Sequence, residues 1–439
     1  MKKMKFLLLS GLTAVSAFPL VAAACGNTDT KPASYIKEDK RIATLVANNS
    51  LTADYVAEHT KSKALEVALV TDAGNVTDKS FNQSSWEALN KLYDQSGGKI
   101  KIRQLKPSGT DYESQYINLL SKTSATVWVL SGFKHNDPIS KFLKNAETKK
   151  QMMDKKIVIV CVDFSLSSDV YPYAYSLLFK VEQSSWIVGN ATANYLSQVY
   201  SSDAAKRLAV SFGGGAFGGV TDYNIGFERG LLAWNKANAD KKVKTNSSSV
   251  PLNSGFEPND SMRNVINSVI GENPSVILPV AGPATQETVG KLDQDTKYND
   301  VKVIGVDVDQ SLTYPSNSSQ NGRFLTSITK NIAQAVYDVI LATKLDLDTK
   351  DLSVKGANGE LQGKILNKGL DSGWVGYSEP HIQNADHKRI MTAALASAKQ
   401  AYESLSAEDK NNLTSLTVNG TAQENVQNAL NLLAQEINK

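Results

Sequence analysis

The sequence predicts an α/β protein built of two lobes, each a parallel sheet covered by helices. Three observations carry this. From residue 65 onward, short β-branched runs alternate with helical stretches at a spacing of roughly 30 residues, the signature of repeated βαβ units. Seven such strand candidates over about 310 residues exceed one comfortable sheet. The chain has 439 residues at 41% hydrophobic composition, material for the cores of two to three domains. A closed eight-fold barrel is the competing architecture.

At the N-terminus, Met1 to Lys5 is basic, residues 6–21 are mostly apolar, and Ala22, Ala23 and Ala24 are small residues directly before Cys25, which reads as an export leader, 1–24. Small residues ending at a cysteine resemble the lipobox of bacterial lipoproteins, which implies a lipid-attached Cys25 and a chain anchored on the extracellular face of the cell membrane. No other apolar run approaches membrane-spanning length. Residues 25–63 are polar and low in aromatics, a tether with a short helix over 42–57 and, if flexible, a reach of about 35 Å. Strands are expected at 65–71, 99–105, 126–130, 157–162, 207–212, 275–280 and 301–306. Helices are expected at 80–95, 184–198, 221–236, 260–269 and 331–344, with amphipathic tail stretches at 386–405 and 422–437.

Composition excludes several functions. Lys and Arg number 47 against 44 acids, and three of those lysines lie in the leader, so the remainder is neutral and a poor electrostatic partner for nucleic acid. Two cysteines and four histidines, without CxxC or HxxxH spacing, leave no framework for a structural zinc. Cys161, in an apolar run, reads as a buried inert thiol. There is no GxSxG elbow, and no histidine stands beside a nucleophile. No catalytic residue, metal or cofactor is expected. The run Gly213 to Gly219 lacks both the GxGxxG spacing and a following Lys-Ser/Thr, and reads as a flexible turn.

Ligands of open parallel sheets bind beyond the carboxyl ends of the strands. Three predicted strands end at Asp72, Asp163 and Asp307, and a fourth at the bare backbone of Gly282. Each aspartate alone is equally a helix cap, but three together suit a ligand rich in hydroxyl donors, such as a sugar or nucleoside, and disfavour a phosphate. Phe81 and Phe256 lie close by, in DKSFN and SGFEPND. They are two flat walls for a ring if both face the cleft, and hydrophobic staples or lobe core otherwise.

VALVTDAGNVTDKSFNQSSWEAL, residues 67–89, resembles the opening of the basic membrane protein family, bacterial lipoproteins that bind purine nucleosides for ABC transporters. Further matches recur in order: SGF at 131–133, FKVEQSSWIVG at 179–189, DYNIGFERG at 222–230, PVAG at 279–282, VIGVDVDQ at 303–310 and TSITKNIAQAV at 326–336. The resemblance covers residues 64–378. It implies a type I periplasmic-binding-protein fold with a three-strand hinge, with lobe 1 from 64–165 and 308–347 and lobe 2 from 166–307 and 348–378; the tail over 379–439 is longer than the motifs explain and is expected to be a helical extension. It further implies that Phe81 and Phe256 sandwich a purine, that Asp307 accepts from ribose hydroxyls, that Lys330 meets the polar edge of the ligand and that Gly282 offers backbone. Asp72, Asn82 and Asp163 complete the polar shell. Two departures stand out. Thr77 precedes Asp78 where the family often has two acids, and the GFxF pattern reads Gly132-Phe133-Lys134-His135, which loses an aromatic.

The expected function is capture of guanosine, inosine or adenosine by a monomer that hands it to an ABC permease. A sugar-binding or adhesive surface lipoprotein and a secreted nucleoside hydrolase are the alternatives. A sugar-responsive repressor is disfavoured by the export leader and by the lack of an N-terminal DNA-binding helix pair.

Overall fold

Val- and Ile-rich runs form strands here because both faces of each sheet are covered, so every side chain meets apolar surface. The computed structural model describes residues 31–60, 64–348 and 352–439. The chain divides into two units, Met1–Lys31 and Pro32–Lys439, and the second contains both lobes. The leader and Cys25 lie outside the described residues.

Eleven strands build the two lobes: β1 (Glu66–Thr71), β2 (Lys101–Leu105), β3 (Val127–Ser131), β4 (Val158–Val162), β5 (Ala174–Phe179), β6 (Ala209–Gly213), β7 (Val276–Val280), β8 (Lys302–Asp307), β9 (Phe324–Lys330), β10 (Lys364–Lys368) and β11 (Val375–Tyr377). They form two open sheets, of order β10-β5-β4-β3-β1-β2 and β11-β9-β8-β7-β6, so the closed barrel does not form. All pairings are parallel except that of β11 with β9. The chain passes between the sheets three times: from β5 into the helix Val181–Val199, from β9 into the helix Ile332–Lys344, and from β10 to β11. These crossings are laced together, Lys180 donating its N–H to the Lys368 carbonyl (3.0 Å) and Asn331 to that of Trp374 (2.8 Å).

The crossings correct the lobe boundaries. Residues 174–179 and 364–368 pair in the first sheet, whereas 324–330 pair in the second. The segments leading into β5 and β9 contain no α-helix. The strand-helix rhythm that divides the sequence therefore breaks at these two strands.

The tether is also corrected. Residues 32–60 lie against lobe 1, where Trp86 Nε1 donates to the Ser34 carbonyl (2.7 Å), Asn90 Oδ1 accepts from the Ile36 N–H (2.8 Å), and the Glu87 carboxylate accepts from the N–H groups of Ile42 and Ala43. The helix in this stretch is Ala53–His59, and Leu51 and Val56 are buried. The partners of residues 36–43 on the helix Phe81–Gln95 are the polar Glu87, Asn90 and Asp94, which a periodicity reading assigns to water, while the Tyr55 hydroxyl donates to the Leu345 carbonyl (2.6 Å). At the other end, the helices Ala385–Glu403 and Val426–Asn438 pack on lobe 2. The Tyr402 and Trp186 rings lie 5.9 Å apart, and Asn235 Nδ2 donates to the Ile437 carbonyl (3.1 Å). Cys161 is free and buried, which pushes its thiol up.

Candidate functional site

Five of the expected residues stand where a strand ends at the cleft. Asp72 follows β1, Asp163 follows β4, Asp307 closes β8, Lys330 closes β9 and Gly282 opens the helix Gly282–Leu292 after β7. Asp163 and Asp307 both hold the left-handed backbone conformation, φ +62° and +67°, uncommon for a residue with a Cβ and seen where the surroundings enforce it.

Phe81 and Asn82 begin the helix Phe81–Gln95, whose entry is set by Asp78. Its carboxylate accepts from the N–H groups of Ser80, Asn82 and Gln83, each at 3.0 Å, and from Asn82 Nδ2 at 2.9 Å. One acid therefore suffices to cap this turn. Asn82 Nδ2 also donates to the Ala73 carbonyl (2.8 Å), while Asn82 Oδ1 is buried and has no partner among the described residues.

All eight expected residues line one inner chamber of about 80 Å³, with Phe81 entering from lobe 1 and Phe256 from lobe 2. Phe133, Phe217 and Tyr223 also line it, and next to it opens an outer cleft of about 1450 Å³. The aspartates do not converge on one point. Lys330 Nζ donates to Asp163 Oδ2 (2.6 Å) and to the Gly219 carbonyl (3.1 Å), and lies 5.0 Å from the centre of the Tyr223 ring and 5.9 Å from that of Phe81. Burial disfavours its charge, but Asp163, Asp307 and Asp222 hold it above the ordinary lysine range.

Asp307 is engaged from both lobes. Ser80 Oγ donates to Oδ2 across the cleft (2.5 Å), and the Tyr223 hydroxyl donates to Oδ1 (2.8 Å). Gln310 Nε2 spans the same seam, donating to the carbonyls of Lys79 (3.2 Å) and Gly282 (3.1 Å). Gly282 itself is a point of lobe contact, for a Cβ there would fall 2.5 Å from Ser80 Cβ. Sequence reasoning missed Ser80, Tyr223 and Gln310. The adjacent motifs DKSFN, DYNIGFERG and VIGVDVDQ were the available signal.

His135, at the position of the missing aromatic, points away from the chamber. Its Nδ1 meets the Tyr116 hydroxyl (2.7 Å) and its Nε2 the Val70 carbonyl (3.0 Å) inside lobe 1, and burial lowers its pKa to about 3. The departure from GFxF therefore leaves the chamber wall untouched.

Burial raises Asp72, Glu182 and Asp222 at the cleft to about 7, and Glu228 beneath β6 to about 8. The folded chain thus binds protons that the unfolded chain has already released, and stability from these groups rises as pH falls through the raised values. His135 acts in the opposite sense only below its ordinary value of 6.5. The expected result is a higher Tm at about pH 6.5 than at about pH 8. A Tm in calorimetry that is no higher at about pH 6.5 than at about pH 8 contradicts these assignments.

The family model described as ABC transporter substrate-binding protein PnrA-like matches residues 65–400. The chain is 28% identical over 324 residues to a CD4+ T-cell-stimulating antigen of Listeria monocytogenes, covering 72% of this chain and 81% of the relative. It is 28% identical over 290 residues to the ABC transporter nucleoside-binding protein BmpA of Lactococcus lactis, covering 64% and 75%. Among solved structures, an ABC transporter solute-binding protein of Aeropyrum pernix shares the fold at a TM-score of 0.55 and 16% identity, over 84% of this chain and 91% of that one. With two lobes, three crossings and a chamber between them, the chain belongs to the PnrA-like family of ABC transporter substrate-binding proteins.

Proposed function

We propose that this substrate-binding protein captures purine nucleosides between its lobes and delivers them to an ABC permease from a lipid anchor at Cys25. The observation that carries the reading is the composition of one chamber wall: aromatic rings from opposite lobes, the Asp307 carboxylate, the buried Lys330 ammonium and the unpartnered Asn82 Oδ1. Aromatic rings suit a base, a carboxylate suits ribose hydroxyls, and a free amide oxygen suits an N–H or O–H donor. Stacking a base on a ring contributes about 1–3 kcal/mol, and a hydrogen bond to a charged group about 1.5–3 kcal/mol. Two walls and two or three such bonds therefore amount to about 5–15 kcal/mol before the cost of immobilising the ligand, and only the surplus appears as affinity. The nucleoside-binding relative in Lactococcus lactis supports the same class of ligand.

Calorimetry with guanosine, inosine, adenosine, ribose and free bases tests this. Nucleosides should bind and the separate halves should not. Asp307→Ala is expected to weaken binding at least tenfold in a chain that still folds, shown by a cooperative melting transition, although the loss of its bonds to Ser80 and Tyr223 lowers the Tm. Binding of ribose as tight as that of nucleosides would favour the sugar reading, and free base released from inosine in the presence of calcium would favour a hydrolase. Mass spectrometry of the N-terminal peptide from membranes should find Cys25 carrying diacylglycerol. An unmodified Cys25 rejects the anchor.

A further inference from the structure

We propose that Phe133 and Phe217 form a gate between the inner chamber and the outer cleft, and that their stacking helps hold the lobes together. Phe133 belongs to lobe 1, in the turn after β3, and Phe217 to lobe 2, at the cap of the helix Gly218–Ala237. Their ring centroids lie 3.4 Å apart at an interplanar angle of 25°, and the Phe217 ring lies 5.8 Å from that of Phe256. Both rings, together with Asp72, Asp163 and Phe256, line the inner chamber and the outer cleft alike, and of these Phe133 and Phe217 are the pair stacked across the boundary from opposite lobes.

Each ring is mounted on glycine. Gly132 has φ +122°, and a Cβ there would run into the Asp72 carboxylate, so the turn that presents Phe133 is pressed directly onto that acid. On the facing lobe, a Cβ at Gly215 would fall 2.6 Å from the Phe217 ring, and one at Gly214 would fall 2.5 Å from Phe256. The glycine run is therefore a seat for two rings, where its sequence reads only as a flexible turn. Such a seat is not needed by a core aromatic, which packs against side chains of its own lobe.

The size of the chamber gives the stack a consequence. Ligand pockets generally enclose roughly 300–1,000 Å³, against about 80 Å³ here. A small organic ligand reaches Asp307 and Lys330 only when the two rings part, and the pair then sets how readily the lobes separate. The ring contact is made by the protein alone, so it is independent of which ligand is carried.

The test is the distance between lobes in purified full-length protein carrying Cys25→Ser, with spin labels at Ile117→Cys on lobe 1 and Leu312→Cys on lobe 2, both exposed positions. Stacked ring pairs of this kind correspond to about a two- to tenfold change in an equilibrium. Phe133→Ala and Phe217→Ala are each expected to raise the ratio of separated to closed lobes by that factor. The double variant should resemble either single one, and Phe217→Tyr, which keeps a ring, should resemble the parent. Gly215→Ala should act like Phe217→Ala by displacing its ring. Unchanged distances in both alanine variants, with circular dichroism showing a folded chain, would overturn the gate. Lengthening in Phe217→Tyr as large as in Phe217→Ala would do the same.

Discussion

Lys330→Met is expected to destabilise the protein by about 3–5 kcal/mol near pH 8, the cost of removing one partner from a buried ion pair. Lys330 is 2% exposed, and its ammonium is bonded to Asp163 while Asp222 and Asp307 lie close enough to raise its pKa. Without it, the cleft keeps its acids and loses the cation that compensates them. Burial already pushes Asp163 upward and holds Asp222 and Glu182 at about 7, so mild acid offers relief by protonation. The loss should accordingly shrink toward pH 6. Urea denaturation at the two pH values measures this, and adding Asp163→Asn should recover most of the stability. A double variant no more stable than Lys330→Met would show that the pair is not the source of the effect.

Gly189→Ala and Gly230→Ala should each cost about 3 kcal/mol, at the upper end of what overpacking a tight interface usually does. Both glycines lie where the helices Val181–Val199 and Gly218–Ala237 cross. A Cβ on Gly189 would strike the Phe227 carbonyl, and one on Gly230 would strike the Trp186 carbonyl and sit 2.7 Å from the Asn190 nitrogen. The obstacles are backbone atoms, so no rotamer change relieves them and the helices must shift. The second helix carries Asp222 and Tyr223 to the cleft, so the shift should also disturb Asp307 through its bond to the Tyr223 hydroxyl. Denaturant midpoints close to the parent's in both variants would mean that this crossing tolerates separation.

These two glycines explain part of the family resemblance in physical terms. FKVEQSSWIVG and DYNIGFERG contain cleft-lining and packing residues side by side. Asp222 faces the outer cleft and Tyr223 the chamber, whereas Gly230 lets two backbones meet. A motif read only as a binding signature conflates the two.

Much of the architecture was legible in the chain. Strands such as Val158–Val162 are continuous apolar runs because both faces are buried, and the aspartates and Lys330 at strand ends fall at the cleft because the carboxyl ends of parallel strands share one edge. The strands Ala174–Phe179 and Phe324–Lys330 were hidden because no α-helix precedes them to mark a βαβ unit, and those strands decide where the chain changes lobe. The docking of residues 32–60 was hidden because Glu87, Asn90 and Asp94 look solvent-facing until another segment supplies their partners.

By itself, then, the sequence determined two sheets of helix-covered parallel strands and the identity of the polar residues at their ends, because burial and strand polarity act over a few residues at a time. Only the tertiary structure decided that Ser80 meets Asp307 across 227 residues of chain, that Phe133 stacks on Phe217, and that a run of glycines seats two aromatic rings. Such contacts depend on how two lobes approach each other, and no local periodicity records that distance.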